Sequence, residues 1–97
     1  MSCLMIVNVT TNGQNKEGLK KYLTEGPPIA IRYGGKYLVL GGNPQALEGE
    51  LLGKGVVVSE WADRDAALRF WNSPEYTALR AHREGTGDYQ VTIVDTK

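Results

Sequence analysis

The residue in this sequence best placed to do chemistry is a carboxylate in an apolar strand. Glu60 sits near the end of the run GVVVSEW, residues 55–61. An ionised carboxylate in such surroundings needs a partner, or its pKa rises and it takes up a proton. In a pocket it would act as a general base. The alternatives are a structural ion pair with Arg32, Arg80 or Arg83, or an exposed strand end. His82 is the only histidine and Cys3 the only cysteine. Either Cys3 or Ser73 could form a nucleophilic pair with His82. However, Cys3 reads as a small apolar strand residue, Ser73 as a helix cap and His82 as a surface residue. Tyr33, Trp71 and Tyr76 fall near expected element ends, where aromatic walls with polar tips suit a small-molecule pocket. The candidate site is therefore Glu60 as base, with Tyr33, Trp71, Ser73, Tyr76 and Arg83 as ligand contacts.

Other chemistries find less support. A single histidine and a single cysteine offer no metal-ligand spacing, so no metal is expected. In RYGGKYLVLGG, residues 32–42, two Gly-Gly pairs bracket a strand, whereas a dinucleotide fingerprint needs spaced glycines that open a helix. GELLGKG, residues 49–55, is one spacer short of a Walker loop and leads into a strand. No nucleotide or other cofactor is expected. RYGGKYLV faintly echoes an RNA-recognition signature, but it straddles the start of the second strand rather than lying on the third. Eleven basic and eleven acidic residues balance, which gives no electrostatic footprint for nucleic acid or an anionic membrane.

These residues need elements to hold them. Ninety-seven residues predict one domain, residues 1–97, with one core. Residues 3–10 form a strand that is apolar on both faces. Residues 14–25 carry Leu19, Tyr22 and Leu23 at helical spacing. Gly26-Pro27-Pro28 should break that helix, with a short second helix through Tyr33. Gly34-Gly35 then turns the chain into a strand at 36–40, and Gly41-Gly42 ends it. A long loop reaches the third strand, 55–61. Asp63 caps a helix that carries Ala66, Ala67, Phe70 and Trp71. Ser73-Pro74-Glu75 starts another, which stops at Gly85-Thr86-Gly87. The last strand is 89–94.

The order β-α-β-β-α-β predicts an α+β, ferredoxin-like antiparallel sheet with helices on one face and strands one and three central. Both central strands are apolar on both faces, and a bare apolar face of that size invites association. A second copy closing on it predicts a homodimer. A lone cysteine, no signal-peptide pattern and no span-length apolar run point to the cytoplasm.

RYGGKYLVLGG, LEG, VVVSEW and AALRFWNSPEYTALRAHREG together resemble the family known as domain of unknown function 1330. The likeness runs from about Leu19 to the C-terminus. It implies a dimeric α/β-barrel, and it carries no established activity. The related barrel superfamily includes cofactor-independent monooxygenases, isomerases and haem-degrading proteins, so fold alone decides nothing. The family's Tyr-Gly-Gly falls on Tyr33, Gly34 and Gly35, and its strand-ending acid on Glu60. Its Asn-Ser-Pro-Glu-Tyr falls on residues 72–76 and its late arginine on Arg83. Trp61 stands where the family usually has Phe, and Phe70-Trp71 where it has Trp-Tyr, so an indole N–H replaces a hydroxyl at 71. Thr86-Gly87 and His82 also depart from the pattern.

The expectation is a homodimer with a small-organic-molecule cleft between sheet and helices in each protomer, and with proton transfer at Glu60. The alternative is a non-catalytic binding or accessory dimer in which Glu60 and Arg83 pair for structure.

Overall fold

The computed structural model describes residues 2–97. β1 (Cys3–Thr11) leads to α1 (Lys16–Arg32), then β2 (Lys36–Gly41) and β3 (Gly55–Trp61). α2 (Arg64–Trp71), α3 (Pro74–Arg80), a 3-10 turn (Ala81–Arg83) and β4 (Gly87–Asp95) complete the order. The sheet runs β2-β3-β1-β4 and every neighbouring pair is antiparallel. The most apolar strands are central, as their composition requires.

Strand alternation sorts the side chains. Cys3, Met5, Val7 and Val9 of β1 pair in register with Trp61, Ser59, Val57 and Gly55 of β3 and with Asp95, Ile93, Val91 and Tyr89 of β4. The helices cover this face, where Cys3, Met5, Ser59 and Trp61 are buried. Leu4, Ile6, Val56, Val58 and Glu60 point the other way. The Cα trace measures 36 × 35 × 16 Å, the thickness of a sheet plus one helical layer. Among the described residues the second face of the sheet carries no layer of its own.

α1 differs from expectation. It runs unbroken through Pro27 and Pro28. Each proline removes one helical N–H, and the acceptors so released, on Leu23 and Thr24, belong to exposed residues where water replaces the lost bonds. Gly26, Ile29 and Ala30 on the other side of the same turns are buried. Tertiary packing therefore carries the helix across its breakers. Asn15 caps its start, its side chain accepting from the Gly18 N–H at 3.3 Å. Asp63 and Ser73 cap α2 and α3 in the same way, accepting from Ala66 and Tyr76.

Gly34 has φ +96°, the left-handed region that ends helices. Gly35 is required for a different reason: a Cβ there would lie 2.6 Å from Trp61 Cη2 and 3.1 Å from the Ala30 carbonyl.

Candidate functional site

A cavity of about 230 Å³ lies between the sheet and α1. Its floor is Met5, Val7, Val9, Val57 and Ser59 from the central strands, with Tyr37, Leu40 and Tyr89 from the edge strands. Leu19, Tyr22, Leu23, Gly26 and Pro27 of α1 form its roof, and Phe70, Tyr76 and Arg83 close its end. Gly26 packs towards Leu79 of α3, where a Cβ would meet Leu79 Cδ2 at an ordinary 3.8 Å, and it also borders the space below. Most of the wall is hydrocarbon or aromatic.

The polar groups gather at one end. Stacked and tilted rings run from Trp61 to Phe70 (4.9 Å) and on to Tyr76 (4.2 Å) and Tyr22 (6.0 Å). The Tyr22 and Tyr76 hydroxyls hydrogen-bond each other. Arg83 donates from Nη1 to Tyr22 Oη at 3.0 Å, and its guanidinium lies 4.2 Å from the Tyr89 ring and 5.1 Å from the Tyr22 ring. Arg83 is in turn fixed from behind. Thr86 Oγ1 donates to the Arg83 carbonyl, so the Tyr89 hydroxyl, 2.6 Å from Thr86 Oγ1, is the donor in their bond.

Burial pushes the Tyr76 phenol well above its ordinary range, and the neighbouring Tyr22 adds to the effect. Burial likewise pushes Tyr37 up to about 12, again with a contribution from Tyr22. At neutral pH both are therefore neutral donors. The Tyr22–Tyr76 bond uses one of two phenolic hydrogens and leaves the other free. Among the described residues no carboxylate, imidazole, thiol or lysine lines the cavity. The described residues of the site can donate hydrogen bonds and offer positive charge.

The expected site residues separate. Tyr76 and Arg83 line the cavity. Glu60 does not: with Ser59 and Trp61 turned inward, alternation turns Glu60 to the far face. There Glu60 Oε2 accepts from Ser2 Oγ at 3.3 Å, and Lys36 stands opposite on β2. Within the protomer this geometry brings Glu60 and Arg83 into neither a shared cleft nor an ion pair. Tyr33 lies outside the cavity, its hydroxyl donating to the Glu75 carboxylate at 3.0 Å, beside the Arg32–Glu75 pair. Trp71 lies behind Tyr76, under the Arg80 guanidinium at 4.0 Å. Ser73 is buried, donating to the Phe70 carbonyl at 2.8 Å while it caps α3; both of its roles are structural. His82 is exposed at the Asn15 end of the fold, whereas Cys3 is buried beside Trp61, and neither Cys3 nor Ser73 meets it.

Tyr22, Tyr37 and Tyr89 also line the cavity, and none of the three was among the expected site residues. The inward facing of two of them was legible, since Tyr22 follows Leu19 by three residues on one helix face and Tyr89 alternates with Val91 and Ile93; their convergence on one cavity was not. Among the described residues no cluster of histidine, cysteine and carboxylate side chains could hold a metal, and no helix is long and apolar enough to cross a membrane.

The topology and the one-sided helical layer define a ferredoxin-like α+β protein. The chain belongs to the family Domain of unknown function (DUF1330), whose model matches residues 2–97. No curated protein matches it. Among solved structures it resembles a protein of unknown function from Rhodopseudomonas palustris, with a TM-score of 0.75 and 19% identity over 99% of this chain and 82% of that one. It also resembles SnoaB, a cofactor-independent oxygenase from Streptomyces nogalater, with a TM-score of 0.67 and 12% identity over 99% and 93%. A dimeric ferredoxin-like protein of unknown function from Thermobifida fusca gives 0.62 and 14% over 99% and 92%. At identities this low the likeness shows the fold alone.

Proposed function

We propose that the protein is a homodimer that binds a small, mainly apolar organic molecule in the cavity between sheet and helices. The observation that carries this reading is the 230 Å³ space itself. Well-packed interiors leave few voids larger than a water molecule, and a concave apolar space with a few convergent polar groups is the usual form of a ligand site. SnoaB is described as a cofactor-independent oxygenase, an enzymatic precedent for the fold and no more than that. The absence of a base from the cavity wall favours binding over proton abstraction from within it. We assign Glu60 to the dimer interface rather than to chemistry, because it shares its face with Leu4, Ile6, Val56 and Val58. The Thermobifida fusca relative is described as dimeric, and a second copy would cover that apolar face. Cytoplasmic placement accompanies the reading, since the lone thiol of Cys3 is buried and unpaired.

Val57→Phe tests the cavity. It projects a ring from the floor into the space, so a panel of aromatic and aliphatic compounds that raises the melting temperature of the wild type should leave the variant unmoved. Equal shifts in both proteins would place the ligand elsewhere. Val58→Glu tests the dimer. Light scattering should give twice the 10.6 kDa protomer mass for the wild type and a lower mass for the variant. A wild-type monomer at micromolar concentration would refute the assembly.

A further inference from the structure

Arg83 is 9% exposed and its guanidinium is permanently charged. Among the described residues no carboxylate lies within ion-pairing distance of it; the ion pairs present are Lys21–Glu25, Arg32–Glu75 and Arg64–Asp95. Its side chain makes one hydrogen bond, to Tyr22, although a guanidinium has five N–H donors. No fully enclosed side-chain nitrogen or oxygen among the described residues lacks a partner. The unused donors of Arg83 therefore reach open space. On one side this is the apolar cavity; on the other it is a more open, more polar depression of about 470 Å³ shared with Arg80 and Glu84, whose carboxylate makes no ion pair with Arg83.

A buried charge without a counter-ion is unfavourable unless something pairs with it. The flanking rings of Tyr22 and Tyr89 supply part of the compensation through their π-faces. They do not use the guanidinium edge, whose fork matches a planar carboxylate. The free phenolic hydrogen of the Tyr22–Tyr76 pair lies beside it. Every polar group at this end of the cavity can donate, and nothing there is a fixed negative charge. A neutral ligand would leave the arginine unpaired, and a cation would be repelled by it.

We infer that the ligand is an organic acid, with its apolar body in the cavity and its carboxylate held by Arg83 and the Tyr22–Tyr76 hydroxyls. The inference rests on the cavity reading and adds the chemical class of the ligand.

Calorimetric titration of matched pairs tests it: phenylacetate with phenylacetamide, and naphthoate with naphthamide. The wild type should bind each acid roughly ten-fold or more tightly than its amide, since charge-assisted bonds are about twice as strong as neutral ones. Arg83→Met keeps the length and loses the charge; it should bring the affinity for each acid down to that for its amide, so that the preference is erased. Val57→Phe should abolish binding of both. Equal binding of acid and amide by the wild type overturns the inference and leaves the cavity reading intact, and this comparison needs no variant to fold. Acid binding that survives Val57→Phe but not Arg83→Met would put the anion in the outer depression and overturn the inference. Binding of neither member of any pair overturns the inference and the cavity reading together.

Discussion

Replacing Gly35 with alanine should damage the core through a single methyl group. The new Cβ would lie 2.6 and 2.7 Å from Trp61 Cη2 and Cζ2, and 3.1 Å from the Ala30 carbonyl. Neither neighbour yields easily. Trp61 is 1% exposed, its Nε1 donates to Ser59 Oγ at 2.9 Å, and its ring stacks on Phe70. The Ala30 carbonyl accepts from Gly35 N–H at 2.9 Å and belongs to the last turns of α1. Overpacking of this kind typically costs about 1–3 kcal/mol. Displacing Trp61 weakens its bond to Ser59 by a further ~1 kcal/mol, and removing a glycine from the unfolded chain returns about 0.4–1 kcal/mol. The expected net loss is about 2 kcal/mol, or roughly 10 °C in melting temperature for a domain of this size. Gly34→Ala is the control. Nothing lies within 4 Å of a Cβ there, so its penalty is conformational only, about 1 kcal/mol. Chemical denaturation of both variants in a Trp71→Phe background, followed by the fluorescence of Trp61, separates the two mechanisms. Gly35→Ala should change the native emission as well as the midpoint; Gly34→Ala should change the midpoint alone. A loss below about 0.5 kcal/mol for Gly35→Ala, with unchanged emission, would show that the contact is not a constraint.

Alkaline stability should follow the buried phenols. In the unfolded chain they ionise near the ordinary value of 10.0, whereas folded Tyr37 holds its proton up to about 12 and Tyr76 holds it beyond that. The unfolded state therefore releases protons first, so this contribution is intact below about pH 10 and is lost as pH rises towards 12 and above. Denaturant midpoints across that range should fall, and at least two of the five tyrosines should show phenolate absorbance only above the ordinary range; a flat profile would contradict their burial. A double-mutant cycle of Glu60→Ala and Arg83→Met should give a coupling within about 0.5 kcal/mol, because the two side chains lie on opposite faces of the sheet. Coupling well above that would restore the ion pair. Ser73→Ala should destabilise by about 1–2 kcal/mol in urea unfolding, since the hydroxyl both caps α3 and donates to Phe70; a neutral result would remove its structural role.

The periodic and punctuating residues made most of the fold legible. The apolar runs at residues 3–10 and 55–61, the caps Asp63 and Ser73, and the glycine pairs marked the elements, and their β-α-β-β-α-β succession gave the order of the sheet. Pro27 and Pro28 misled because local propensity does not register the burial of Gly26, Ile29 and Ala30, which holds α1 together. Of the residues expected at the site, Tyr76 and Arg83 line the cavity, whereas Glu60 lies on the opposite face of the sheet. Its apolar neighbours suggested burial, but parity within β3 already put it opposite Ser59 and Trp61. Two apolar faces in one strand conceal which of them the helices cover. Tyr22, Tyr37 and Tyr89 converge only through the pairing of distant strands and the path of α1, which no local pattern encodes.

A crystal structure of the protein soaked with phenylacetate tests the central claim most directly. The account predicts the phenyl ring between Val57, Met5 and Phe70, with the carboxylate within hydrogen-bond distance of Arg83 and of Tyr22 or Tyr76. An unoccupied cavity at saturating ligand, or a carboxylate held by Arg80 on the outer surface, would contradict it.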